Sequence, residues 1–204
     1  MYSKVINWIQ TLDKKPIRIL GIDPGSRLCG WGLVSSQGPK IEHIDNGVFV
    51  LTAVESLPDR LGLLMQSLED VLERYRPKAV AVEGVFQHRN ARSALILGHA
   101  RGVAIATCAV RGLDVAEYSP LQIKKSVTGT GRASKDQIQQ MIALRLGLKS
   151  IPQEDAADAV AAAICHAQML NAPSIPTIKT KKRSKKSMDA ALLAIARERG
   201  MEAK

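Results

Sequence analysis

Four carboxylates stand at the end of, or inside, three apolar segments of the chain, where charged groups are unusual. Asp23 follows Ile-Leu-Gly-Ile, Glu83 follows Ala-Val-Ala-Val, and Asp155 and Asp158 lie among alanines. An ionised carboxylate is costly to bury without a partner, and several that converge would repel one another. Hard divalent cations take oxygen ligands, and Mg²⁺ is typically held by a few carboxylates together with phosphate oxygens of a substrate. We therefore predict that these four acids bind metal for phosphodiester chemistry.

The charge of the chain points to nucleic acid as the substrate. The 204 residues carry a net charge of +10. Residues 171–204 hold nine Lys or Arg against three acids, and this basic segment follows the prolines Pro173 and Pro176. Such a run can be a merely solvated tail, but it also suits electrostatic contact with phosphate. We predict an N-terminal extension at 1–16, a nuclease domain at 17–170 and a basic, flexible tail at 171–204.

Other classes of protein are disfavoured by composition. The apolar runs fall short of the ~20 residues that cross a bilayer, and the N-terminus lacks the pattern of a signal peptide. Cys29, Cys108 and Cys165 are odd in number and lack CxxC spacing, which indicates reduced thiols in a cytoplasmic protein. Cys165 and His166 are adjacent and would point about 100° apart on a helix, which disfavours a shared metal.

Apolar runs and turn signals predict the order β-β-β-α-β-α-β-α-α-α. The predicted strands are 17–23, 30–35, 41–51, 79–83 and 113–118. The first three should form an antiparallel meander and the last two should be parallel, giving an α/β fold with a mixed five-stranded sheet flanked by helices.

Helices are predicted from apolar spacing and capping residues. One begins after Ser56 and stops before Pro77, and another covers 90–110, interrupted by Gly98 and Gly102 where another backbone approaches closely. The remaining helices are 120–126, 135–147 with a Ser134/Gln137 capping box, and a last helix from about 152 to 170.

The predicted elements give the position of each acid on a strand or helix, but they do not give the distances between the acids. Asp23 ends the first strand and Glu83 the fourth, and α/β sheets bind ligands at such strand ends. Asp155 and Asp158 are three residues apart, so they share one face of the last helix. Acids near a helix N-terminus also suit the helix dipole, which is the plain structural interpretation of Glu154 and Asp155. Sequence patterns alone do not establish that the three segments converge.

The chain resembles the RuvC family of bacterial endonucleases that resolve Holliday junctions, over roughly residues 17–170. Four blocks carry the resemblance: Gly-Ile-Asp-Pro-Gly-Ser within 19–27, Glu-Gly-Val-Phe and the following helix within 82–104, Gly-Thr-Gly-Arg-Ala-Ser-Lys within 129–137, and Asp-Ala-Ala-Asp-Ala-Val at 155–160. The first block alone would be weak, but all four in this order are specific.

The resemblance implies a ribonuclease H-like fold and a homodimer that nicks two strands of a four-way DNA junction symmetrically. It implies two Mg²⁺ ions per active site, with Mn²⁺ as a possible substitute, held by Asp23, Glu83, Asp155 and Asp158. RuvA and RuvB, the branch-migration proteins of the family, are the implied protein partners.

The resemblance also implies that several other residues contact DNA. Phe86 matches the family's aromatic residue that stacks on a base near the crossover, and Lys124 and Lys135 match basic residues near the scissile phosphate. Arg89 and Arg92 are added as candidate DNA-binding residues.

The chain also departs from the family pattern. Gly84 stands where the family usually has Gln, and 87–89 is a local variant. These departures put in doubt a polar role at position 84 and the junction contacts of 87–89, and the resemblance assigns no role to either terminal extension.

Three other functions compete with this prediction. A related nuclease acting on structured RNA would use the same acids. A nucleotide-dependent kinase or ATPase can share the fold, but such chains usually repeat the domain, and this one has no Gly-x-x-x-x-Gly-Lys-Ser/Thr loop. An inactive DNA-binding module is disfavoured because all four acids are present.

Overall fold

The computed structural model describes residues 15–84 and 90–172. Both ranges belong to the unit Met1–Ala172, and a second unit, Pro173–Lys204, lies outside the described residues. The predicted extension at 1–16 is therefore described only at its last two residues.

Five strands form one mixed sheet, as predicted. In chain order they are β1 (Ile17–Asp23), β2 (Leu28–Gln37), β3 (Lys40–Val50), β4 (Ala79–Glu83) and β5 (Asp114–Tyr118). Their spatial order is β3-β2-β1-β4-β5. The pairs β1/β2 and β2/β3 are antiparallel, while β1/β4 and β4/β5 are parallel.

Five helices complete the described part of the fold. They are α1 (Leu57–Tyr75), α2 (Ala91–Val110), α3 (Pro120–Thr128), α4 (Lys135–Leu146) and α5 (Glu154–Asn171), and a short 3₁₀ turn, Leu51–Ala53, follows β3. The predicted bounds agree with the observed ones to within two residues.

Local capping explains why several boundaries were predictable. The Ser56 side chain accepts a hydrogen bond from the Asp59 backbone at the start of α1. The Ser134/Gln137 capping box is present in α4, and Ser119 with Gln122 forms a second capping box in α3. These bonds satisfy backbone N–H groups that a helix start leaves free.

The helices cover opposite faces of the sheet. Helices α3, α4 and α5 pack on one face with Ile19, Ala79 and Ala81. Helices α1 and α2 pack on the other, against Leu20, Ile22, Val80 and Val82. This alternation along β1 and β4 follows from the two-residue period of a strand, and it assigns Asp23 and Glu83 to the face that α5 covers.

Helix α2 corrects two expectations. It is continuous through Gly98 and Gly102, and a Cβ built on either glycine would meet no described atom within 4 Å. The predicted close approach by another part of the described chain is therefore wrong. The helix, with 20 residues, is also long and apolar enough to cross a membrane, by length and composition alone. This differs from the expectation that all apolar runs of the chain are too short for a membrane span. Length and composition are weak evidence for such a span, and much of α2 is exposed while its inner face packs on the sheet.

Candidate metal centre

Asp23 and Glu83 come together because β1 and β4 are adjacent parallel strands. Ile22 lies opposite Val82 in the register, so the acids that follow these residues sit at the same edge of the sheet. Both side chains are half-buried.

Helix α5 brings the remaining acids to this edge because its backbone lies directly on the strands. A Cβ on Gly21 would be 1.9 Å from the Ala159 carbonyl oxygen, and a Cβ on Gly30 would be 1.9 Å from that of Asp155. A Cβ on Gly32 would be 2.4 Å from Val160 Cγ2 and 2.7 Å from the Val160 backbone nitrogen. Only glycine permits so close an approach, and the alanines of α5 complete the contact.

Three of the four predicted acids form a compact cluster. Asp23, Glu83 and Asp158 each place one carboxylate oxygen within 4.8 Å of the others. Asp155 lies one turn before Asp158 and outside this group of three, and its Oδ2 accepts a hydrogen bond of 2.9 Å from Gln153 Nε2. Three oxygens from three separate segments converge on a space that suits a hard cation.

Comparison with known proteins identifies the fold and the family. The sequence model of the family described as "Crossover junction endodeoxyribonuclease RuvC" matches residues 19–166. The chain belongs to the RuvC family. It is accordingly a crossover junction endodeoxyribonuclease, a nuclease of DNA recombination and repair, as the sequence predicted.

Individual RuvC proteins match over most of their length. The chain is 49% identical to RuvC of Geotalea uraniireducens over 151 residues, covering 74% of this chain and 88% of the relative. It is 47% identical to RuvC of Trichlorobacter lovleyi over 170 residues, covering 82% and 96%. The structure resembles that described as "T. thermophilus RuvC in complex with Holliday junction substrate", with a TM-score of 0.71, 33% identity, and coverage of 76% and 95%. This neighbour supports the predicted ribonuclease H-like fold.

The electrostatics of the cluster fit the divalent-metal dependence of RuvC proteins. Burial, followed by repulsion from Glu83, Asp158 and Asp155, raises the pKa of Asp23 to about 7. Burial and then Asp158 raise the pKa of Glu83 to about 7, and burial raises the pKa of Asp158 as well. Three carboxylates with elevated pKa values and only oxygen donors favour a hard divalent cation, which would hold all three ionised at neutral pH.

Both predicted lysines lie beside the cluster. Lys135 at the start of α4 forms an ion pair with Glu154, and its Nζ is 3.9 Å from Asp158 Oδ2. The hydrogen bond to Glu154 raises the pKa of Lys135. Lys124 is half-buried on α3, and its charge opposes the rise in the pKa of Glu83 and Asp158.

The structure gives less information about the other predicted DNA-binding residues. Arg92 is exposed in the first turn of α2, where its backbone N–H donates to the Asn90 side chain. Phe86 and Arg89 lie outside the described residues, so their roles stay predictions. Gly84 is buried and its N–H donates to the Tyr118 carbonyl, which joins the end of β4 to β5.

Sequence patterns missed two contributors to the site. Glu154 was interpreted only as an acid favoured by the helix dipole, although it pairs with Lys135. The glycines that seat α5 were also missed. Their signal was available, because Gly21, Gly30 and Gly32 lie in predicted or adjoining strand positions and α5 is rich in alanine.

The adjacent Cys165 and His166 belong to no group of three or more potential metal ligands among the described residues. His166 Nδ1 and the Tyr118 hydroxyl are hydrogen-bonded at 2.6 Å. All three cysteines are free and buried, and burial raises the pKa of Cys29 and Cys108 to about 12.

The acid cluster predicts an unusual pH dependence of stability in the metal-free protein. Asp23 and Glu83 hold their protons up to about pH 7 in the folded state, whereas ordinary values are 3.8 and 4.5. The stability that this gives the folded state is present below the ordinary pKa values and is lost as the pH rises through about 7. In EDTA, the Asp23→Asn variant should therefore gain more in melting temperature over wild type at pH 7.5 than at pH 5.

Added divalent ion provides the matching control. It should raise the wild-type melting temperature at pH 7.5 more than at pH 5, because protons compete for the ligands at low pH. Equal effects of Asp23→Asn at both pH values would contradict the elevated pKa of Asp23.

Proposed function

We propose that this RuvC protein resolves four-way DNA junctions with paired nicks, using two Mg²⁺ ions held by Asp23, Glu83, Asp155 and Asp158. The convergence of carboxylate oxygens from Asp23, Glu83 and Asp158 carries the proposal. Asp155 is included because its charge acts on Asp23 and Asp158, whose pKa values it helps to raise. Two ions in such a site supply Lewis acidity, an activated water and stabilisation of the leaving oxygen.

The side chains themselves perform positioning and electrostatic work. Glu83 and Asp23 are fixed by the register of β1 and β4, while Asp158 is fixed by the seating of α5. Lys124 and Lys135 approach from α3 and α4 and would offset negative charge that develops on the phosphate. Glu154 holds Lys135 beside Asp158, so this lysine is placed before the substrate arrives.

A direct assay tests the proposed activity. An immobile four-way junction, a matched linear duplex and a folded RNA are each incubated with the protein in Mg²⁺, Mn²⁺ or EDTA. We expect nicks at symmetric positions in the DNA junction, activity in either metal, and none in EDTA. Preferred cleavage of folded RNA would instead favour the alternative ribonuclease function.

The outer face of α2 supports the proposed homodimer. Leu95 is 63% exposed and Val110 86% exposed, although both are large apolar residues. Gly98 and Gly102 lie exposed between them, with no described atom within 4 Å of a Cβ built there. Exposed apolar surface with small residues suits close packing against the same helix of a second copy. A two-fold pair would present two acid clusters to the two strands that must be cut.

Leu95→Glu should convert the dimer to a monomer, because it places a like charge twice in a two-fold interface. We expect a halved mass in sedimentation, unchanged metal binding and loss of paired nicking. Leu144→Glu on α4 is the matched control, since Leu144 is 78% exposed but lies on another helix. A Leu95→Glu protein that remained dimeric would assign the interface elsewhere.

The remaining interactions rest on family resemblance and charge. We propose a cytoplasmic location, contact with RuvA and RuvB, and base stacking by Phe86 at the crossover. The basic residues Arg89 and Arg92 and the tail at 171–204 are proposed to contact phosphates.

A further inference from the structure

A polar cleft lies beside the turn that follows Asp23. Its volume is about 570 Å³, and Ser26, Arg27, Thr52, Glu55, Arg60 and Ser93 contribute to its lining. These residues come from the β1–β2 turn, the segment after β3, and the first turns of α1 and α2. The cleft is thus distinct from the acid cluster but close to it along the chain.

Hydrogen bonds connect the segments that line the cleft. The Leu51 N–H donates to the Arg27 carbonyl at 2.8 Å. The Arg60 guanidinium donates to the Ser26 carbonyl at 3.4 Å and to the Glu55 carbonyl at 3.0 Å. Arg60 therefore ties the turn after Asp23 to the segment that leads into α1.

The cleft carries an excess of positive charge. Arg60 binds two backbone carbonyls but no carboxylate among the described residues, and its buried Nε has no described hydrogen-bond partner. Arg27 is exposed and forms no ion pair with the described residues. Glu55 is the one acid in the lining, so two cations face a single carboxylate. Hydroxyl groups of Ser26, Thr52 and Ser93 add hydrogen-bond donors suited to an anion.

The position of the cleft relates it to DNA. Arg27 lies four residues after Asp23, a span of at most roughly 14 Å for an extended chain, which a few nucleotides of one strand also cover. Lys124 and Lys135 belong to α3 and α4, on one face of the sheet, whereas the cleft borders α1 and α2 on the other. Cations therefore flank the acid cluster on both sides.

We propose that this cleft binds a backbone phosphate of the junction strand, a few nucleotides from the phosphate that is cut. The strand then crosses the edge of the sheet from the lysines to Arg27 and Arg60, with the acid cluster between them. This inference rests on the junction cleavage proposed above and adds a contact that orients the strand. The contact is to phosphate, so it should act equally on all sequences.

The test measures junction binding in EDTA over a range of salt concentrations. Arg27→Gln should weaken binding and reduce the log–log salt slope by about 0.9, the value for one phosphate contact on duplex DNA. Arg18→Gln is the matched control, because Arg18 is also exposed but lies near the other end of β1. This control removes the same net charge and should leave the slope nearly unchanged.

Neutral linkages then locate the contact. Junctions with a methylphosphonate at one linkage each are compared for the wild type and Arg27→Gln. We expect one or two linkages near the cut site to cost the wild type about tenfold in affinity. The same linkages should cost Arg27→Gln little affinity, because the Arg27 charge that contacts them in the wild type is absent.

A second variant separates binding from folding. Ser93→Glu adds a carboxylate to the cleft, and an acid in the first turn of α2 suits the helix dipole. It should weaken junction binding while keeping the melting temperature, whereas Ser93→Ala removes only one hydroxyl donor and should weaken binding far less than Ser93→Glu. The proposal is overturned if Arg27→Gln keeps the wild-type slope, loses no more than Arg18→Gln, or shows the wild-type pattern of linkage sensitivity. A wild-type protein that failed to bind or cut junctions would instead overturn the proposed function.

Discussion

Asp158→Asn should abolish junction cleavage and leave junction binding intact. The amide keeps the size of the side chain but loses the charge that we propose binds a divalent cation together with Asp23 and Glu83. Even residues that only support metal ligands cost 10–100-fold when they are changed, so we expect a loss of more than about a hundredfold in the cleavage rate. Single-turnover cleavage in Mg²⁺, binding in EDTA and calorimetric titration with the metal give the three readouts.

Asp70→Asn is the control for this variant. Asp70 is an exposed acid on α1, on the opposite face of the sheet from α5, and its loss should leave all three measurements unchanged. Near wild-type cleavage by Asp158→Asn would show that the acid cluster is not the catalytic site.

Gly30→Ala should damage stability and cleavage together. Its Cβ would lie 1.9 Å from the Asp155 carbonyl oxygen, a backbone atom that can move only if the start of α5 moves. Overpacking of a close-packed interior costs typically 1–3 kcal/mol, and a backbone clash lies at the upper end or beyond. Displacing α5 would also carry Asp155 and Asp158 away from Asp23, so metal affinity should fall at temperatures where the protein is still folded.

Gly62→Ala offers a matched comparison. Gly62 lies within α1, where an added Cβ would meet no described atom within 4 Å, so the substitution should stabilise the protein by about 0.5–1 kcal/mol through helix propensity. Thermal melts and metal titrations of the two variants make the comparison. A Gly30→Ala protein with wild-type melting temperature and metal affinity would contradict the described seating of α5.

The strands that carry the acids were predictable because their signals are local. Ile17–Asp23 and Ala79–Glu83 are short apolar runs that end at turn residues, and both strands have the predicted bounds. Capping residues at Ser56 and Ser134 fixed two helix starts in the same way. Such signals depend on neighbours within four residues, which a single sequence contains.

The convergence of the acids was not predictable from local patterns. It depends on how closely α5 approaches β1 and β2, and that distance is set by residues more than a hundred positions apart, such as Gly30 and Asp155. The pairing of Lys135 with Glu154 likewise joins two elements whose relative placement no local pattern encodes. The family resemblance supplied the shared role that we propose for the acids, while the structure supplies the contacts that bring Asp23, Glu83 and Asp158 together.

The burial of all three thiols has a practical consequence for spectroscopy. A thiol reacts with maleimide dyes as the thiolate, and with pKa values of about 12 Cys29 and Cys108 are almost never in that form at neutral pH. Cys165 is buried as well, and burial also raises its pKa. A cysteine introduced at an exposed position such as Lys149 should therefore take up a fluorophore selectively in the otherwise unaltered protein. Energy transfer between two such labels could then follow assembly and junction opening in real time without removing any native cysteine.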